Sequence, residues 1–61
     1  EIIMANVEVI IEENYCVVSS YDEDIVHFAK KVHELMSGGW QVNGGITSSN
    51  SKIYQVLVRL Q

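Results

Sequence analysis

Three observations on this chain predict an α+β fold, with one helix laid across a small, mainly antiparallel sheet. Apolar residues recur at every second position near both ends. A single stretch between them repeats with the helical period, and glycine pairs punctuate the chain after it. The implied order is strand, helix, strand, strand, with room for an extra N-terminal strand.

The first extended stretch covers residues 7–19. Val7, Val9 and Ile11 alternate there with Glu8, Ile10 and Glu12. Glu12-Glu13-Asn14 breaks the apolar pattern, which resumes at Tyr15-Cys16-Val17-Val18. One long bent strand and two short strands around Glu13-Asn14 both fit. The absence of glycine at the break favours the bent strand.

The helix is the best-defined element. Ser20 and Glu23 have capping-box spacing, and Asp22, Glu23 and Asp24 put negative charge in the first turn, where the helix dipole favours it. The expected helix runs to about Ser37. Ile25, Phe28, Ala29, Val32, Leu35 and Met36 form one apolar stripe, with Lys30, Lys31 and Glu34 opposite. Gly38 is suited to stop it.

A strand is expected from Trp40 through Ile46, interrupted by Gly44-Gly45. A polar loop over residues 47–51 and a final strand over residues 53–60 follow. Asn43-Gly44 is also a tight-hairpin signal, but the serine-rich loop leaves flanking strands of better length. In the last strand Tyr54, Val56, Val58 and Leu60 share one face, and Ile53, Gln55, Leu57 and Arg59 share the other. One helix covers one sheet face, so the second strand face, with Ile53, Leu57 and also Ile10, is expected to stay open. Exposed apolar area of that kind calls for a partner.

Length and composition point the same way. The 61 residues form a single domain, with residues 1–6 expected to be a flexible N-terminus. A domain of this size buries only about 60% of the surface its unfolded chain exposes and is marginal alone. Cys16, the single cysteine, is expected to be a buried free thiol, and no metal-ligand cluster is visible. Self-association is the remaining common source of stability, and a hydrophobic fraction of 48% is compatible with it. A homodimer packed through sheet faces or edge strands is favoured, with Ile10, Ile53, Leu57, Val26 and His33 as its candidate contacts. A net charge of −4 with four basic residues argues against nucleic acid as a partner. No apolar run approaches a membrane-spanning length and no signal sequence is visible, so neither a membrane partner nor export is expected. The chain opens at Glu1 with Met4 close behind. Residues 1–3 therefore read as upstream sequence, or the chain as part of a longer protein.

Chemistry is sparse. His27 and His33 stand six apart on a helix and cannot share a metal from one face. Cys16 with a distant histidine lacks the parts of a nucleophilic site. The acidic run at residues 22–24 is accounted for by helix capping. The glycine pairs precede no helix and so build no phosphate cradle. The expectation is a non-enzymatic protein without cofactor or metal. Trp40 is read first as a core residue. The best candidate ligand or interface cluster is Trp40, Gln41, Asn43, Tyr54 and Gln55, beside the glycine-flattened backbone, with Lys52 and Arg59 as possible phosphate partners.

The combined pattern resembles a small bacterial and phage family of unknown function built from a strand, a helix and two strands. It is carried by Tyr15, Val17 and Val18; by Phe28, Val32 and Leu35; and by Gly39-Trp40, Gly44-Gly45-Ile46 and Tyr54-Gln55. It spans about three quarters of the chain, residues 15–59. The segment over residues 7–14 and the long serine-rich loop depart from it. The resemblance implies this fold and a cytoplasmic setting in a bacterium or a phage host, and it carries no known activity. The resulting expectation is a self-associating protein-interaction module that acts, if phage-encoded, on a host protein. The alternative is an oligomeric small-ligand binder, for example of a nucleotide signal.

Overall fold

The computed structural model describes residues 2–4 and 7–60. Its elements are β1 (Ile2–Met4), β2 (Val7–Glu12), β3 (Tyr15–Tyr21), a 3-10 turn (Asp22–Asp24), α1 (Ile25–Ser37), β4 (Gln41–Val42), β5 (Thr47–Ser49) and β6 (Lys52–Val58). All strand pairs are antiparallel, in the order β1-β2-β3-β6, and the free edge of β6 is shared by β4 and β5. This is the predicted α+β class. Of residues 1–6, Ile2–Met4 form β1, and Glu1, Ala5 and Asn6 lie outside the described residues.

The bent first strand is corrected to a hairpin. Glu12 pairs with Tyr15, so Glu13-Asn14 is a two-residue turn. Glu13 takes φ +53° without being glycine. The end of the chain braces this turn: the Arg59 amide donates to the Asn14 carbonyl at 3.0 Å, and Arg59 Nη2 donates to the Glu13 carbonyl at 3.3 Å. A long-range contact thus supports a conformation that local sequence does not announce.

The capping box is also absent. Ser20 remains in β3, where it is buried and its Oγ donates to the Tyr21 carbonyl. No side chain caps the 3-10 turn or α1. The acidic residues therefore act at this helix start through charge alone. The other end is sharply defined. The Gly39 amide donates to the Met36 carbonyl and the Trp40 amide to the Leu35 carbonyl, both at 3.1 Å. These are the paired bonds of a Schellman ending, with Gly39 at the left-handed position, φ +102°. The glycine the ending requires is Gly39, one residue beyond the expected Gly38. Gly39→Ala is expected to lower stability by about 1–2 kcal/mol through backbone strain alone, because a Cβ there meets no atom within 4 Å. Gly38→Ala, at φ −89°, is expected to be nearly neutral. Urea midpoints for the two variants check the contrast.

The strand expected over residues 40–46 is cut short at Val42. Gly44 turns to φ +83°, and the Asn43 amide donates to the Val56 carbonyl at 2.9 Å. Asn43 thus keeps one last bond to β6, and the chain leaves the ladder over residues 44–46. The loop expected over residues 47–51 shrinks to Asn50-Ser51, whose φ values of +51° and +66° are the paired positive angles of a type I′ hairpin.

The core lies between α1 and one sheet face. Val7, Val9, Cys16, Val18, Phe28, Trp40, Ile53 and Leu57 are buried together, with Val32 and Leu35 packed against them. Burial pushes the Cys16 thiol pKa up, so this sulfur is a neutral packing atom and a poor nucleophile. α1 crosses β2 and β3 and is rolled away from its predicted orientation. Lys31, expected opposite the apolar stripe, is buried. Its ammonium reaches Glu34 Oε1 at 3.1 Å, while the side chain helps line a cavity beside Val7. In exchange Ile25, Ala29 and Met36 are left exposed.

Candidate functional site

Alternation along the strands places the candidate residues on opposite sides of the sheet. Gln55 faces the helix side and is buried, flanked on its strand by Ile53 and Leu57. Its Nε2 donates to the Gly44 carbonyl at 3.1 Å and to the Val56 carbonyl at 3.0 Å. The side-chain amide ties the glycine loop to β6, which makes Gln55 structural. Trp40 is on the same side, 5% exposed, and the Arg59 guanidinium stacks on its ring at 4.3 Å.

Tyr54 and Gln41 belong to the other face. Tyr54 pairs with Ser19 and Thr47, and Gln41 pairs with Val58. Asn43 is exposed in the loop, held there by its backbone. The five residues expected to converge are therefore divided by the sheet. Lys52 and Arg59 are divided in the same way. The Lys52 ammonium stands over the Tyr21 and Tyr54 rings at 5.5 and 6.0 Å, whereas Arg59 is on the Trp40 side. No single anion can bridge the two.

The contact residues expected on the open face are corrected too. Ile53 and Leu57 are core residues, at 7% and 0% exposure. The open face is the one with Tyr54, Val56 and Val58 on β6. Cross-strand register sets Ile10, Val17 and Val56 in one row across β2, β3 and β6, with Tyr15 and Val58 in the next row. Ile10 and Tyr15 are about half exposed, and Val17, Val56 and Val58 are partly exposed. Ile10 is thus the one expected contact that the structure sets on this face. Val17, Val56 and Val58 were readable as apolar from sequence, but their outward direction depends on where the helix sits. Glu8 and Glu12 alternate with Ile10 on β2, and that solvated pattern is the local signal for an open face.

A second apolar surface lies along α1. Ile25, Ala29, Val32 and Met36 form one wall of a groove of about 280 Å³ that has Ile46 opposite and Gln55 in its lining. Val26 is exposed on the same helix, and His33 helps line the groove. His27 is exposed, and among the described residues no group of three or more His, Cys, Asp or Glu side chains is placed to hold a metal. Nor is any helix among them long and apolar enough to cross a membrane.

Compared with protein-family models, curated proteins and solved structures, the chain matches none.

Proposed function

We propose that this chain is a small, non-enzymatic interaction module that self-associates through the open face of its sheet. The observation that carries this reading is the uncovered apolar row Ile10, Val17 and Val56, extended by Tyr15, Tyr54 and Val58. Two copies of such a face stack as a two-layer sandwich, about 10 Å between sheets, with both helices outside. The contact is isologous, so one patch serves both partners. It also supplies the apolar burial that a 61-residue domain is short of alone. The same surface, in a bacterial or phage-infected cytoplasm, serves for capture of a host protein.

Val56→Lys tests this. A desolvated ammonium in the centre of the contact costs several kcal/mol, so the variant is expected to weaken the dimer at least a hundredfold. Sedimentation velocity at micromolar concentration reads this as a dimer for the parent chain and a monomer for the variant. Far-UV circular dichroism should remain that of the folded chain, because position 56 points away from the core. A parent chain that stays strictly monomeric at millimolar concentration overturns the proposal.

A further inference from the structure

The flank of α1 carries apolar side chains beyond those its core uses. Phe28, Val32 and Leu35, spaced four and three, already pack the helix against the sheet. Ile25, Ala29, Val32 and Met36 form a second line, spaced four, three and four, which is the 3.5-residue repeat of a helix-pairing seam. Ile25, Ala29 and Met36 are exposed in this chain.

We propose that this seam pairs with the α1 of a second copy, the two helices antiparallel, each lying in the other's groove. Three observations select that occupant. The 4-3-4 spacing reads the same in both directions, so a two-fold axis between Ala29 and Val32 brings Ile25 of each copy against Met36 of the other. Ala29 near the centre permits close approach of the two backbones, and the large side chains sit at the ends. The seam also carries no carboxylate, on a chain of net charge −4 whose acidic helix start at residues 22–24 lies outside it. Two copies therefore meet there without facing negative groups, which a strongly acidic or basic partner segment does not need.

Size sets the strength. A standard interface takes about 800 Å² from each partner, close to a fifth of this chain's 4187 Å². A three-turn helix seam with Ile46 at its border offers less than that, so this contact is expected to form only at high concentration. It does not rest on the sheet-face contact. Where both form, two different two-fold contacts on one chain assemble tetramers or open arrays.

Disulfide trapping tests the seam directly. Ile25→Cys and Met36→Cys chains, mixed and oxidised, are expected to give the mixed disulfide at least five times above a Lys30→Cys control on the far side of the helix. Each variant oxidised alone should stay near the control level. Same-variant disulfides in excess overturn the antiparallel pairing, and control-level crosslinking in the mixture overturns the contact. Ala29→Glu, a substitution an exposed helix site tolerates, is expected to weaken the high-concentration association step at least tenfold. No change in that step also overturns the proposal. Val56→Lys leaves the mixed disulfide in place, so failure of the sheet-face contact and failure of the helix seam give different results.

Discussion

Leu57→Ala is expected to remove about 2–5 kcal/mol of folding stability, the range for truncating a fully buried leucine and leaving part of its volume empty. Leu57 is 0% exposed and pairs with Cys16 on one side and Val42 on the other. A domain of 61 residues has roughly 3–9 kcal/mol in total. The substitution therefore takes a large share, and at the upper end of its range it leaves the chain unfolded at room temperature. Urea denaturation followed by Trp40 fluorescence reads the loss; at a slope of about 1 kcal/mol/M the midpoint falls by roughly 2–5 M. Val56→Ala, one residue away and pointing to the other side, is expected to change the monomer's midpoint far less and to act on association instead. Equal effects at the two positions would contradict the assignment of faces.

That assignment is where the sequence was least transparent. Periodicity identifies two faces on the last strand, but not which of them the helix covers. Tyr54, Val56 and Val58 make the more continuously apolar face, and the other is interrupted by Gln55. In the fold the interrupted face is inside, because Gln55 donates to the Gly44 carbonyl and is not left unsatisfied. A buried amide with a backbone partner costs little compared with one lacking it. The partner belongs to a loop eleven residues away, which a window along the sequence does not reach.

The same limit explains the other corrections. The amphipathic stripe located the helix and its end near Ser37, since 3.6-residue periodicity is local. The expected first turn at residues 22–24 is instead a 3-10 turn, and α1 begins at Ile25. Its roll was not local: it follows from packing against β2 and β3, and it leaves Lys31 buried and lining a cavity with Val7. The hairpin at Glu13-Asn14 lacks a glycine and is supported by Arg59 from the far end of the chain. The candidate cluster failed for a geometric reason. Positions 54 and 55 are adjacent in sequence and so point to opposite sides of a strand. Tyr54 and Gln55 cannot line one site on a regular β6. Ile10 was legible because Glu8 and Glu12 flank it on its own face.

Trp40→Ala is the second large effect, expected at about 3–5 kcal/mol. Three separate roles meet in this side chain. Its ring belongs to the buried cluster, at 5% exposure. It occupies the position after the left-handed Gly39, where a Schellman ending places an apolar residue against the helix's last turn; Leu35, three positions before the cap, is the residue so placed. It also carries the Arg59 guanidinium, whose amide and Nη2 in turn hold the Glu13-Asn14 turn. Arg59→Ala removes the stack together with the exposed Nη2 bond to Glu13, and a stacked guanidinium at an exposed position is worth about 0.5–1 kcal/mol. Most of the Trp40 effect is then packing. Trp40→Phe, which keeps an aromatic ring in the core, should recover a large part of the loss. Thermal denaturation of the three variants at one protein concentration orders them as Trp40→Ala far below Trp40→Phe, with Arg59→Ala nearest the parent. A Trp40→Ala chain that kept the parent's melting temperature would return the tryptophan to the role of a surface contact. Its burial, its capping position and its stacked arginine all argue for the opposite result.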